Sequence, residues 1–162
     1  MTTMPSPARQ ILRNPIHLLA FGFGAGLSPK MPGTIGTLAA VPFYLLMMNL
    51  SWPLYLGVLV VTSVVGIYLC HKTALDLGVH DHPGIVWDEF VGYWITLFLA
   101  PKGLVWIVIG FILFRFFDIF KPWPIRWFDR HVHGGIGIML DDVIAGMCAW
   151  ACLQCIAWYW LG

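Results

Sequence analysis

The sequence predicts an all-helical integral membrane protein, built as a multi-pass bundle with re-entrant or interfacial segments. Of its 162 residues, 59% are hydrophobic and only 10% are charged, whereas soluble domains usually carry about 25% charge. Mean hydropathy is +0.80. Charge is also clustered, since no Asp, Glu, Lys or Arg lies between Met31 and Cys70 or beyond Asp142. Proline, glycine and charge divide the apolar stretches into pieces near the ~20 residues that cross a bilayer.

The chain length and the net charge further restrict the possible classes of protein. The length is close to that of one ordinary domain, so residues 1–162 are expected to form a single membrane-embedded domain. The net charge of +1 excludes a nucleic-acid-binding protein with a strongly basic surface. Neither observation indicates the oligomeric state.

The N-terminal region is expected to lie at the membrane surface. Residues 1–14 are predicted to be a short cytoplasmic tail. The apolar stretch 16–27 contains Gly22, Gly24 and Gly26, and no cleavage site of small residues follows it. We therefore expect a retained re-entrant or interfacial segment, with a short first helix as the alternative.

Two membrane helices are predicted in the uncharged stretch between Met31 and Cys70. The first covers residues 34–50, with Pro42 as the expected site of a kink. A turn at residues 51–53 follows, and Pro53 suits the first position of the next helix. That second helix is predicted over residues 54–70, and a polar loop over residues 71–83.

Three further helices are predicted after this loop. The third covers residues 85–100 and ends at a turn over residues 101–103. The fourth covers residues 104–120, where a pair of prolines prevents continuation. Residues 125–137 are Trp-rich and then Gly-rich, and we expect them at the interface. The fifth helix covers residues 138–160, with the acidic pair at its start.

If each helix crosses once, the charged clusters fall on one side of the membrane. Among lysines and arginines, Lys102 alone falls on the other side. The positive-inside rule makes the charged side cytoplasmic. The site that these clusters form is therefore predicted to face the cytoplasm.

The acidic residues in this apolar setting predict a metal site. Carboxylates are costly to bury unless they are paired or hold a metal, and Mg²⁺ prefers oxygen ligands together with substrate phosphate and water. An ion pair between Arg115 and Asp118, three residues apart, is the structural alternative for that pair. The candidate catalytic residues and Mg²⁺ ligands are Asp88, Glu89, Asp118, Asp141 and Asp142.

Other residues are suited to binding an anion. The segment 33–37 offers backbone N–H groups at a predicted helix start, although such loops are also common turns. Residues 134–137 are Gly-rich and either approach a ligand or form a simple turn. The six histidines are candidates for acid–base groups or ordinary interfacial residues. The candidate phosphate-binding residues are Lys30, Thr34, Arg115, Lys121 and Arg126.

Four sequence blocks resemble the bacterial phosphatidylglycerophosphatase A family. They occur in family order over residues 14–150, and each is long and unusual. The blocks are GLSPKMPGT from Gly26, VWDEFVG from Val86, RFFDIFKPWPI from Arg115 and HGGIGIMLDDVIAG from His133.

This resemblance implies a Mg²⁺-dependent lipid phosphatase with an all-helical fold in the bacterial inner membrane. Its substrate would be phosphatidylglycerophosphate, and its product phosphatidylglycerol. The residues leave open whether water or an aspartate attacks the phosphorus. A CDP-alcohol phosphatidyltransferase and a cation transporter are the rival functions. The pattern of Asp residues that is usual for the transferase is absent from this sequence. A transporter would place its acidic residues at the middle of helices.

Overall fold

The computed structural model describes residues 7–161, and within that range it contains helices and no strand. Eight α-helices and one 3₁₀ helix follow one another. The α-helices are α1 (Pro7–Arg13), α2 (Pro15–Ala20), α3 (Pro32–Met47), α4 (Trp52–Leu77), α5 (Trp87–Thr96), α6 (Leu104–Phe120), α7 (Ile125–His131) and α8 (Gly134–Leu161), and the 3₁₀ helix (Gly22–Leu27) lies between α2 and α3.

The helix boundaries follow from proline, glycine and left-handed residues. Pro32 stands in the first turn of α3, where its missing N–H is not needed. Gly78, with φ of 68°, ends α4, because glycine adopts the left-handed conformation without strain. Lys121 ends α6 with φ of 43°, a conformation that few non-glycine residues adopt.

Helices α5 and α8 form the centre of the fold. Helix α5 contacts α3, α4, α6 and α8, and α8 also contacts α4, α6 and α7. Their backbones meet at glycines: a Cβ on Gly92 would lie 2.7 Å from the carbonyl oxygen of Asp142, and one on Gly146 would overlap the carbonyl oxygen of Gly92. Asp88 and Asp142 each stand four residues before these glycines, so each shares a helix face with the point of contact.

Aromatic residues fill the space around this crossing. Phe90, Tyr93 and Phe114 are completely buried. The Tyr93 hydroxyl donates to the carbonyl oxygen of Ile107 at 2.9 Å, and the Trp94 indole donates to that of Ala40 at 3.0 Å. The polar atoms of the buried aromatic residues therefore join α5 to α6 and α3.

The turns after α3 and after α5 lie at the same end of the molecule. The Lys102 ammonium donates to the Asn49 side-chain oxygen at 2.8 Å. Both residues are at the opposite ends of their helices from Pro32 and Trp87. This arrangement agrees with the hairpin path that the sequence predicts for these helices.

Two of the described helices, α4 and α8, are long and apolar enough to cross a membrane by length and composition. They contain 26 and 28 residues. The outer face of α4 is apolar and open: Leu54, Val60, Val61 and Val64 are each more than half exposed. Such a surface is typical of a helix that contacts lipid.

The all-helical prediction is confirmed for the described residues, but several boundaries were wrong. Helix α4 continues to Leu77, so the first half of the predicted polar loop 71–83 is helical. In this stretch Asp76 pairs with Lys72 and with the His17 ring, and these pairs support a polar helical turn. Helix α5 has only 10 residues, fewer than the predicted segment 85–100.

The start of the last helix was also predicted wrongly. Helix α8 begins at Gly134, not at residue 138, so Asp141 and Asp142 lie about two turns inside it rather than in its first turn. Residues 134–137 are helical and do not form a turn. Gly135 packs directly on the Ile67 carbonyl of α4, and such close packing of two helices requires small residues.

The N-terminal segment forms short helices. The stretch 16–27 consists of α2 and the 3₁₀ helix, and its place at the membrane surface stays a prediction. Of the predicted tail 1–14, residues 7–13 form α1, and Ile11 on it is buried. The first six residues of that tail lie outside the described part of the chain.

The glycine contact between α5 and α8 leads to a stability prediction. Replacing Gly146 by alanine should lower the stability by about 1–3 kcal/mol, because the added methyl overlaps backbone that cannot move independently. Gly57→Ala is the matched control, since nothing lies within 4 Å of its added Cβ. Thermal unfolding of the detergent-solubilised protein, followed by tryptophan fluorescence, measures both. Equal melting temperatures for the two variants would contradict this packing model.

Candidate active site

A cavity of about 400 Å³ lies between the starts of α3 and α5, the end of α6 and the first turns of α8. Its walls are mostly polar and charged, in contrast to the apolar outside of the helices. They comprise Met31, Pro32, Gly33, Thr34, Asp81, His82, Pro83, Ile85, Asp88, Glu89, Arg115, Asp118, Ile119, Lys121, Asp141 and Asp142.

Helix α5 supplies Asp88 and Glu89 from its first turn, where the helix dipole stabilises negative charge. Glu89 is held by α3. The buried Thr37 hydroxyl donates to Glu89 Oε2 at 2.9 Å. A Cβ on Gly33 would overlap Glu89 Oε1, so glycine at position 33 lets the backbone of α3 approach this carboxylate.

Arg115 of α6 joins two carboxylates at one edge of the cavity. Its Nη1 donates to Glu89 Oε2 at 2.9 Å and to Asp118 Oδ2 at 2.6 Å. All three side chains are largely buried, with 12–15% of each exposed. The ion pair that the sequence offered as a structural alternative is therefore present, and it also includes Glu89.

Lys121 joins the short helix α7 to helix α8. Its ammonium donates to Asp129 Oδ1 at 2.8 Å and to Asp141 Oδ2 at 2.6 Å. Burial alone would lower the pKa of Lys121, but the two carboxylate hydrogen bonds outweigh it and raise that pKa above its ordinary value. Lys121 therefore stays positively charged at the cavity wall throughout the physiological pH range.

Several carboxylate oxygens remain without a partner. Asp88 Oδ1, Asp141 Oδ1 and Asp142 Oδ2 are buried and accept no hydrogen bond within the described part of the chain. The residues Asp141 and Asp142 are only 8% and 3% exposed. Because an unpartnered buried carboxylate is expensive, this set of oxygens fits a bound cation.

The side chains are not arranged as a closed metal cage. Among residues 7–161, no group of three His, Cys, Asp or Glu side chains is placed to hold one ion. This spacing suits Mg²⁺, which usually takes one or two carboxylates and completes its octahedron with water and substrate phosphate. A Zn²⁺ site would instead need three or four protein ligands converging on one point.

The cavity brings together most of the residues that the sequence indicated. The five candidate acids, Arg115, Lys121 and Thr34 line it. Lys30 and Arg126 do not; both are exposed, and Arg126 donates to the Phe120 carbonyl at 3.3 Å.

Sequence reasoning missed two kinds of contributor. Asp81 was missed: it lines the cavity from a segment that was assigned to a polar loop, beside His82, one of the six histidines considered as acid–base groups. Its position a few residues before Asp88 was the available signal. Thr37 was missed because a buried threonine within an apolar helix carries no sign of its contact with a distant carboxylate.

The arrangement is suited to a phosphate ester. Arg115 and Lys121 offer positive charge on the walls, and the unpartnered carboxylates offer places for a cation and for a proton. Phosphoryl transfer depends mainly on this kind of positioning and charge neutralisation. No cysteine lines the cavity, so among the described residues nothing supports a thiolate nucleophile.

Comparison with known proteins identifies related sequences. The family model described as phosphatidylglycerophosphatase A matches residues 18–157. The chain is 53% identical to phosphatidylglycerophosphatase A of Escherichia coli, over 99% of this chain and 96% of that protein. It is 47% identical to phosphatidylglycerophosphatase A of Haemophilus influenzae, over 98% and 99%.

A more distant relative carries a different name. The chain is 35% identical, over 87% of its length and 92% of the relative's, to a protein of Bacteroides thetaiotaomicron provisionally named phosphatidylinositol-3-phosphatase. No solved structure matches the chain significantly.

Proposed function

Since the chain belongs to the phosphatidylglycerophosphatase A family, we propose that the acidic cavity is the site where it removes the terminal phosphate of phosphatidylglycerophosphate, with the help of Mg²⁺. The products are phosphatidylglycerol and inorganic phosphate. Neither rival function, transfer of a phosphatidyl group or cation transport, has support from the related proteins.

The observation that carries this proposal is the set of unpartnered, buried carboxylate oxygens beside two basic side chains in one cavity. Glu89 and Asp118 are already engaged by Arg115. The remaining acids, Asp88, Asp141 and Asp142, are therefore the proposed holders of Mg²⁺ and of the proton from the attacking water. When bound, Mg²⁺ supplies charge neutralisation at the phosphoryl oxygens and lowers the pKa of a bound water.

Arg115 and Lys121 are the proposed contacts of the phosphate. Arg115 has a planar guanidinium whose Nε–H is buried and donates to no acceptor among the described residues, so a donor remains for a phosphate oxygen. Lys121 provides a second positive charge on the α8 side of the cavity. Together these two side chains flank the acids on both sides. In these positions they would hold a phosphate against the cation.

We also propose that the helices cross the inner membrane several times, with the cavity at the cytoplasmic surface. The exposed apolar face of α4 and the common end shared by Asn49 and Lys102 support this orientation, as does the distribution of lysine and arginine along the chain. The head group would then reach the acids while the acyl chains stay among lipids.

Neutralising the acids tests the proposed metal site. Asp88→Asn and Asp142→Asn keep the side-chain volume but remove the charge, so each should lower Mg²⁺-dependent phosphate release by about 100-fold or more. Phosphate release from phosphatidylglycerophosphate in mixed micelles measures this, and Mg²⁺ titration of the melting temperature measures binding separately. Mg²⁺ should raise the melting temperature of the unmodified protein and raise it less in these variants.

The control for the acids is Asp76→Asn. Asp76 pairs with Lys72 and His17 on the other side of α4 and does not line the cavity, so this variant should keep its Mg²⁺ response. Near-normal Mg²⁺-dependent turnover in folded Asn variants of two or more of Asp88, Asp141 and Asp142 would show that the metal-site assignment is wrong.

Replacing the basic residues tests the phosphate contacts. Arg115→Ala and Lys121→Ala should each weaken substrate use by about 1.5–3 kcal/mol, the range for hydrogen bonds to charged groups. Arg115→Lys should recover only part of this, because lysine lacks the planar fork. Lys30→Ala and Arg126→Ala, which alter exposed residues outside the cavity, should change kcat/KM much less. A loss in Lys30→Ala equal to that in Arg115→Ala would move the phosphate site towards the start of α3.

Cysteine labelling in intact cells tests the orientation. In a variant without the four native cysteines, Pro83→Cys should resist an impermeant thiol reagent, whereas Lys102→Cys should react, because the two positions lie at opposite ends of the bundle. Lysed cells provide the control, since both positions should then react. The reverse pattern in intact cells would place the cavity on the outer surface.

A further inference from the structure

A second cavity of about 470 Å³ lies directly beside the acidic one. The two share Pro32, His82 and Pro83 in their walls. The rest of the second cavity is bordered by apolar side chains such as Ile11 and Phe21, and no Asp, Glu, Lys or Arg lines it among the described residues. His82 therefore stands at the boundary between a charged space and an uncharged one.

The hydrogen bonds of His82 determine which of its nitrogens carries the proton. The backbone N–H of Gly84 donates to His82 Nδ1 at 3.0 Å. A backbone amide can only donate, so Nδ1 must be the acceptor and the proton of the neutral ring lies on Nε2. No residue within 7–161 accepts a hydrogen bond from Nε2, which leaves this donor available to a ligand.

The ring is also held in place by its surroundings. Phe21, which is almost completely buried, packs against it with ring centroids 5.3 Å apart. The loop carrying His82 is anchored at its far end, where the Val86 N–H donates to the Ala20 carbonyl at 2.9 Å. A Cβ on Gly84 would lie 2.8 Å from the Gly26 carbonyl oxygen, so the loop sits close against the 3₁₀ helix.

We propose that His82 Nε2–H donates a hydrogen bond to the oxygen that joins the scissile phosphate to the glycerol group of the substrate. This rests on the proposed function: the phosphate occupies the acidic cavity, and the uncharged glycerol enters the second one. The bridging oxygen then has to pass the shared wall, where His82 is the side chain with a free donor.

The role of this donor follows from the bond changes. The oxygen of water bonds to phosphorus, and the bond between phosphorus and the bridging oxygen breaks, with its electron pair remaining on that oxygen. The proton that water loses to a carboxylate ends on the same oxygen, so the ester and water become an alcohol and phosphate. His82 keeps its Nε2 proton and stabilises the negative charge that develops on the leaving oxygen.

Two substitutions of His82 separate this role from a structural one. In His82→Asn the side-chain oxygen can replace Nδ1 as acceptor for Gly84, but no donor reaches the position of Nε2. In His82→Gln the amide nitrogen can reach the position of Nε2, but the acceptor for Gly84 is lost. We expect His82→Asn to keep its melting temperature and lose about 10- to 100-fold in kcat, and His82→Gln to retain more turnover although it melts lower.

A purely structural role predicts the reverse order, with His82→Asn nearly normal and His82→Gln impaired, and that result would overturn the proposal. His131→Asn is the matched control, because His131 is exposed on α7 and lines neither cavity. It should leave kcat unchanged.

The leaving group provides an independent measurement. An analogue with an aryl group in place of the terminal glycerol releases a more stable anion, so His82→Asn should lose much less kcat on it than on the natural substrate. An equal loss on both would show that His82 does not act on the bridging oxygen. Failure of the proposed function would look different, because the unmodified protein itself would then release no phosphate.

Discussion

The close approach of α5 and α8 is the constraint on which the rest of the structure depends. Gly92 and Gly146 allow the two backbones to touch, and each glycine lies one helical turn beyond an acidic residue. The contact therefore brings Asp88 and Asp142 to the same cavity without any direct bond between them. Larger residues at the crossing would push the two helices apart, and this would also separate the two carboxylates.

The cavity combines fixed and unsatisfied charges. Arg115 and Lys121 each join two carboxylates, and these pairs tie α6 to α5 and α7 to α8. The oxygens left without partners are concentrated on Asp88, Asp141 and Asp142. The ion pairs thus stabilise the arrangement of the helices. The unpaired oxygens are available to bind a cation, whereas a fully paired network would have no free ligand oxygens.

Much of this arrangement could be predicted from the sequence, because membrane-like segments make each charged residue conspicuous. The helix 104–120 was predicted with the bounds that the structure has, since Gly103 and the proline pair mark its ends. The start of α8 was missed because Gly134 and Gly135 are typical of a turn unless the neighbouring helix requires small residues. Asp81 and Thr37 were missed, and His82 was not distinguished from the other histidines, because their importance depends on contacts between segments distant in sequence.

The order of the helices along the chain has a consequence for biosynthesis. Asp141 and Asp142 lie on α8, the last helix, while the other walls of the cavity come from α3, the loop before α5, α5 and α6. A nascent chain that has emerged only as far as α7 has the basic residues and the first acids but lacks two of the three unpartnered carboxylate oxygens. The proposed site is therefore complete only after the final helix has packed against α5.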